Sequence, residues 1–141
     1  MTVSVFLYLT FIVFMSAEGL REGFYFHYIN IAGGKPTIEH KIFTASRILM
    51  FSSCLLTCNF ATSNIEVVAF LGLCMALSSP FWHDGFYYSK RNDLDRNMYK
   101  KRFFDQSTSS TALLTKFCTP ILRTLYFLFS LIIFIIFVIV K

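Results

Sequence analysis

The chain has 141 residues and a net charge of +5, with 55% hydrophobic and only 15% charged residues. Soluble domains carry about 25% charged residues, so this composition excludes a disordered chain, a disulfide-rich scaffold and an ordinary soluble globule. It predicts a single-domain, all-α integral membrane protein. The basic residues lie beside apolar segments and no base-reading motif accompanies them, so nucleic acid is not an expected partner.

The first apolar segment, residues 2–17, has one feature of a signal peptide, because Ser16 and Ala17 resemble a small-residue cleavage site. A signal peptide begins with a positively charged region, however, and no Lys or Arg precedes this segment. Charged residues after it continue the helical spacing. We therefore predict a retained first helix over residues 3–24.

Three further helices are predicted, which gives a bundle of about four transmembrane helices. The predicted spans are residues 3–24, 37–61, 65–88 and 117–140. The last span contains Arg123 as its only charge, and at about 1.5 Å per residue it is long enough to cross roughly 30 Å of hydrocarbon. A loop over 25–36, a tight turn over 62–64 and a polar loop over 89–108 connect the helices, and Pro80 is expected to kink the third.

The distribution of positive charge predicts an orientation. Eight of the 13 Lys and Arg residues lie between residues 89 and 123, four more lie between residues 21 and 47, and the turn between the second and third helices carries none. Basic loops remain on the cytoplasmic side of a membrane. We therefore predict that loops 25–36 and 89–108 are cytoplasmic and that both termini are outside.

Charged side chains inside apolar helices are the most informative residues, because an ion costs several kcal/mol in hydrocarbon. The first helix carries two glutamates one turn apart, the second carries a histidine and an arginine on one face, and a His-Asp pair ends the third. The predicted helix directions bring all of them to the cytoplasmic side at one depth. The candidate catalytic cluster consists of Glu18, Glu22, His40, Arg47, His83 and Asp84.

One hypothesis for this cluster is a metal centre. Its ligands would be His40, His83, Asp84 and Glu22, since imidazole and carboxylate groups suit zinc or iron. A metal-bound water at the lipid–water boundary would act as a nucleophile on a lipid. The spacing gives little support, because no H-E-x-x-H, E-x-x-H or H-x3-H motif is present.

The second hypothesis is an ion-pair network that requires no cofactor. A glutamate of the first helix would neutralise Arg47, while Asp84 would pair with Arg21 or His40. Buried polar groups of this kind fix the register of helices in some proteins. A path for a substrate or a proton, without a metal, is a third option.

The four cysteines are interpreted as small apolar filler and not as disulfide partners. They are Cys54, Cys58, Cys74 and Cys118, all in apolar surroundings. A C-x3-C pair can bind metal or haem, but no third ligand lies near it in the sequence. No pair of small residues is identified as a helix-dimer face.

Three functions from different classes follow, and whether the chain is an enzyme is left open. The leading one is a small polytopic membrane protein with a structural or accessory role in a larger membrane assembly. The alternatives are an intramembrane metal-dependent hydrolase acting on lipid and a phage holin-like pore former. Expected partners are the lipid bilayer, anionic headgroups at the basic stretch 90–102 and, as an open option, other membrane subunits.

Overall fold

A computed structural model of the chain describes residues 2–34, 39–105 and 119–140, and the side chain of His40 lies outside what it describes. The described part is all-helical. Its helices are α1 Thr2–Ile31, α2 Glu39–Thr62, α3 Ile65–Leu94 and α4 Pro120–Val140. All four are long and apolar enough to cross a membrane, which agrees with the predicted number of spans.

Helix α1 continues seven residues beyond its predicted end, so residues 25–31 are helix and not loop. No glycine or proline lies in this stretch, and the side-chain amide of Asn30 donates to the Tyr99 hydroxyl at 3.1 Å. The helix ends where Gly33 adopts a φ of +70°. There the Gly34 amide donates to the Ile29 carbonyl at 2.9 Å, as in other glycine-terminated helices.

Helix α3 begins at a side-chain cap. The Asn64 side-chain oxygen accepts hydrogen bonds from the Glu66 and Val67 amides at 2.9 and 3.3 Å, which satisfies two donors that the first helical turn leaves free. Only Ser63 and Asn64 separate α2 from α3. Such a short connection forces the two helices to run antiparallel.

The other end of α3 also differs from the prediction, because residues 89–94 are helical and not part of the polar loop. Pro80 lies inside the helix, which continues past it. Asp95 ends the helix in an extended conformation, and its amide still donates to the Arg91 carbonyl at 3.1 Å. Charged residues therefore occupy the last turns of α3, where sequence alone suggested irregular chain. The sequence also predicts a short interfacial helix over residues 109–116, which lie outside the described residues.

The closest helix pair is α1 with α3, and two glycines make the approach close. A Cβ atom added at Gly19 would overlap the carbonyl oxygen of His83, and one added at Gly23 would lie 2.8 Å from the carbonyl oxygen of Tyr87. Gly19 and Gly23 form a small-x3-small motif, the spacing that allows helix backbones to touch. The sequence analysis found no such dimer face, and the structure uses this pair within the chain.

The core lies between α1, α2 and α3, with α4 packed on one side. Tyr8 stacks on Phe134 with ring centroids 4.4 Å apart. The Tyr8 and Ser130 hydroxyls lie 2.7 Å apart, and Ser130 donates to the carbonyl of Cys74 at 2.8 Å. Three of the predicted filler cysteines, Cys54, Cys58 and Cys74, are buried and free. The hydroxyl groups of Tyr8 and Ser130 thus have partners inside the chain, as buried polar groups require.

Candidate functional site

Charged side chains from all four helices meet at one end of the bundle, where α1 and α3 end and α2 and α4 begin. We call this group the polar cluster. It consists of Glu22 on α1, Arg47 on α2, His83 and Asp84 on α3, and Arg123 on α4. Each helix contributes at least one charge, so the cluster links the whole bundle at a single level.

His83 is the centre of the polar cluster and is only 7% exposed. Its Nε2 atom lies 2.8 Å from the Glu22 carboxylate and 2.8 Å from Arg47 Nη1. Its Nδ1 atom lies 3.0 Å from the Asp84 carboxylate. In the neutral tautomer that protonates Nδ1, the ring donates to Asp84 and accepts from Arg47 at Nε2, which then cannot donate to Glu22; a ring protonated at both nitrogens donates to both carboxylates. Both ring nitrogens therefore have protein partners.

The charges of the polar cluster balance when His83 is neutral. Glu22 and Asp84 supply two negative charges, and Arg47 and Arg123 supply two positive charges. The Arg47 guanidinium lies 3.6 Å from Glu22, and the Arg123 guanidinium lies 3.8 Å from Asp84. In each pair one charge is buried and the other is partly exposed, so the pairing lowers the cost of the buried charge.

Glu18 lies one turn before Glu22 and has different partners. It is 3% exposed, and the Arg21 guanidinium donates to its carboxylate at 2.8 Å. The Ser46 hydroxyl of α2 donates to the same carboxylate oxygen. The structure therefore brings four of the six predicted residues into contact, places Glu18 in a neighbouring ion pair, and does not describe the side chain of His40.

The pairing of Asp84 differs from the expected one among the described residues. Arg21 pairs with Glu18, and Asp84 contacts His83 and Arg123. The expectation that a glutamate of the first helix neutralises Arg47 agrees with the 3.6 Å approach of Glu22. Helical periodicity shows which residues share a face but not which of several cations on neighbouring helices lies closest, and this accounts for the difference.

Arg123 belongs to the polar cluster but was not in the predicted site. It is 2% exposed, and its Nη2 atom donates to the carbonyl oxygens of Phe103 and Asp105 at 3.0 and 2.9 Å. The sequence did contain a signal, since Arg123 is the only charge in an apolar helix and lies near the predicted cytoplasmic end. An intramembrane charge with no partner on its own helix should be sought on the neighbouring helices.

The geometry bears on the metal hypothesis. Among the described residues, no group of three or more His, Cys, Asp or Glu side chains could hold a metal ion. Arg47 Nη1 lies at hydrogen-bond distance from the Nε2 atom that would have to face a metal. A guanidinium in this position repels a cation, so Glu22, His83 and Asp84 as arranged favour an ion-pair network.

Arg123 is expected to hold residues 103–105 against the bundle. Replacing it with methionine removes two hydrogen bonds to backbone carbonyls and one of the two partners of Asp84, so we expect this segment to detach. Amide hydrogen exchange at residues 103–105 should accelerate by about tenfold or more, because each lost bond to a charged group contributes about 1.5–3 kcal/mol. Arg102→Met is the matched control, since Arg102 is exposed. Equal exchange rates in the two variants would contradict the proposal that Arg123 holds residues 103–105 against the bundle.

Comparison with protein-family models, with curated proteins and with solved structures finds no match for this chain. A function for the chain therefore has to be inferred from the polar cluster and from the surfaces of the helices.

Proposed function

We propose that the chain is a small polytopic membrane protein with a structural or accessory role in a larger membrane assembly. Four helices of suitable length and apolarity support the membrane location. The polar cluster supports the structural role, because its carboxylates, guanidiniums and imidazole contact one another. A catalytic site needs groups available to a substrate, whereas these groups link α1, α2, α3 and α4.

The observation that carries the accessory role is the composition of α2. Helix α2 has the lowest mean hydropathy of the four candidate spans, and α4 has the highest. In both helices only 17% of the most apolar stretch is buried within the chain. An exposed, strongly apolar surface such as that of α4 suits lipid. An exposed surface that is less apolar suits contact with another protein.

Hydroxyl groups on α2 indicate the kind of partner. Ser53 and Thr57 are exposed and lie one turn apart, so they share one face of the helix. Ala61 continues this row of small residues and is also exposed. Rows of small and hydroxyl-bearing residues allow transmembrane helices to approach closely and to form hydrogen bonds. We therefore propose that a transmembrane helix of another subunit packs on this face.

We also propose the orientation in which the polar cluster lies at the cytoplasmic side and both termini lie outside. Six basic residues against three acidic ones occupy residues 90–105, immediately after the end of α3 that carries the cluster. The turn between α2 and α3, at the opposite end, has no charged residue. This asymmetry supports the cytoplasmic placement by the positive-inside rule.

The accessory role is tested by blocking the α2 face. Ser53→Leu with Thr57→Leu adds bulk where a partner helix would pack, but lipid accommodates leucine. We expect the tagged chain, extracted from membranes of its natural host in mild detergent, to migrate in a heteromeric species on native gels. The double variant should shift most of the chain to its free form.

The matched control is Leu128→Phe with Ile132→Phe on α4. These residues are also one turn apart and are 45% and 55% exposed, so the change adds similar bulk to a lipid-facing surface. The control should retain the heteromeric species. If the wild-type chain migrates alone, or if both double variants release it equally, the proposed role of α2 is wrong.

A further inference from the structure

A cavity of about 370 Å³ lies between the end of α3 and the chain that follows it. It is separate from the polar cluster and shares no residue with it. Its lining residues are Tyr88, Arg91, Met98, Tyr99, Lys100 and Lys101. Three of these six side chains are cationic, three present apolar or aromatic surface, and the lining contains no carboxylate.

Aromatic rings position the cations around the cavity. The Arg91 guanidinium lies 4.0 Å from the centroid of the Tyr99 ring, and its Nη1 atom donates to the Tyr87 hydroxyl at 2.6 Å. The Lys101 ammonium lies 5.3 Å from the centroid of Tyr88. Cation–π contacts hold a charge in place without neutralising it. Two of the three cations are thus fixed in the lining of the cavity.

Asp95, which lies three residues before Met98 of the lining, is engaged in a turn. One carboxylate oxygen of Asp95 accepts the Asn97 and Met98 amides at 2.9 and 3.0 Å, which folds the chain after α3 into a turn. The Tyr99 amide donates to the Asp95 carbonyl at 2.9 Å. Asp95 thus holds the backbone that forms the wall of the cavity, and its carboxylate accepts hydrogen bonds from backbone amides.

Tyr99 is fixed from three sides, so the cavity is formed before a ligand arrives. The Asn92 side chain donates to the Tyr99 carbonyl at 2.6 Å, and the Asn30 side chain donates to its hydroxyl at 3.1 Å. The His27 ring of α1 packs edge-on against it with centroids 5.7 Å apart. A preformed site loses little conformational entropy when it binds its ligand.

We propose that this cavity binds the phosphate headgroup of an anionic phospholipid. Arg91, Lys100 and Lys101 would contact the phosphate, because guanidinium and ammonium groups are the donors that phosphate oxygens prefer. Met98 is 54% exposed and, with Tyr88, offers apolar surface to the first part of an acyl chain. The inference rests on the membrane location proposed above but not on the accessory role.

The ligand is a lipid and not free phosphate because of where the cavity lies. Its lining lies where the apolar helix α3 ends, and the exposed Phe104 follows in the same segment. Basic and aromatic residues in such a position bind the membrane interface. Inorganic phosphate would gain the cationic contacts but not the apolar ones.

The test uses the full chain in detergent and native mass spectrometry to measure binding of phosphatidylglycerol, phosphatidylcholine and inorganic phosphate. Lys100→Gln with Lys101→Gln removes two cations of the lining. The matched control is Arg96→Gln with Arg102→Gln, which removes two exposed cations of the same segment that do not line the cavity. Size-exclusion chromatography establishes that each variant is folded and monodisperse.

We expect tighter binding of phosphatidylglycerol than of phosphatidylcholine. We also expect a loss of about thirtyfold in the lysine variant, since each Lys beside an anionic headgroup contributes about fivefold, and a loss of no more than about threefold in the control. If both variants lost the same affinity for phosphatidylglycerol, the lipid would be attracted by the overall positive charge of the segment, and the proposed site would be wrong. Inorganic phosphate that binds as tightly as the lipid would overturn the lipid assignment.

Discussion

Replacing Gly19 with alanine is expected to destabilise the chain far more than the same change at Gly72. A Cβ atom at Gly19 overlaps the carbonyl oxygen of His83, a backbone atom that no side-chain rotation can remove. Helices α1 and α3 would have to separate, which displaces His83 from Glu22. Overpacking of a close interface costs about 1–3 kcal/mol, and loss of the buried hydrogen bonds adds to this.

Gly72 is the matched control because it is also a buried glycine inside a helix. A Cβ atom there meets the end of the Leu55 side chain at 3.3 Å, and that side chain can rotate. We expect the free energy of unfolding of the Gly72→Ala variant to differ from that of the wild type by no more than about 0.5–1 kcal/mol, the range of ordinary Gly-to-Ala effects in helices. Unfolding in mixed micelles of increasing denaturing-detergent fraction, followed by Trp82 fluorescence, measures both variants. Equal midpoints would contradict the backbone contact between α1 and α3.

Replacing Glu22 with alanine is expected to have the largest effect of any single change in the polar cluster. Glu22 is 4% exposed and faces both His83 and Arg47. Its removal leaves the Nε2 atom of His83 and the partly buried Arg47 guanidinium without a carboxylate partner. Breaking a fully buried pair costs about 3–5 kcal/mol, so we expect a loss of about 2–3 kcal/mol for this partly exposed one. The same unfolding measurement tests this, with Glu66→Ala as the control, because Glu66 is exposed at the opposite end of the bundle.

A second variant distinguishes a structural from a chemical role for the polar cluster. Glu22→Leu with Arg47→Met removes both charges of one pair and leaves the Asp84–Arg123 pair. If the cluster is an ion-pair network, this double variant should recover a large part of the stability lost in Glu22→Ala, since apolar replacement of a whole buried pair is often neutral. A Glu22→Ala protein as stable as the wild type would contradict the network and would favour a site that needs Glu22 for chemistry.

Composition and helical periodicity predict the class of this chain well. Long apolar runs and few charges predicted an all-α architecture with four spans, and four helices of suitable length and apolarity are found. The helix ends were predicted less well. The helix breakers Asn30, Gly33, Gly34 and Pro36 predicted a loop over 25–36, and polar and charged residues predicted one over 89–108. Residues 25–31 and 89–94 of these stretches are helical. Tertiary contacts such as Tyr99 on Arg91 and His27 stabilise both extensions, and such contacts cannot be read from local sequence.

Helix order and direction alone bring Glu22, Arg47, His83 and Asp84 to one level, and the structure places these four in contact. Two features needed three-dimensional information. Arg123 joins the cluster because α4 packs on α3 with its N-terminal end at that level. Gly19 and Gly23 pack on α3, which begins more than 30 residues after α1 ends. The small-x3-small spacing of the two glycines does not specify which helix packs on them. The lipid hydrolase and the holin-like pore stay hypotheses.

The close packing of α1 on α3 has a consequence for biosynthesis. Glu22 leaves the ribosome about 60 residues before His83 and about 25 before Arg47. In a membrane, α1 would carry a carboxylate without its partners until the later helices arrive, and an unpaired carboxylate in hydrocarbon is costly. Nascent α1 would therefore gain its stable position only after α3 is synthesised. Truncated chains that stop before His83 should therefore insert into the membrane less efficiently than the full chain. Membrane quality-control proteases should also degrade them faster.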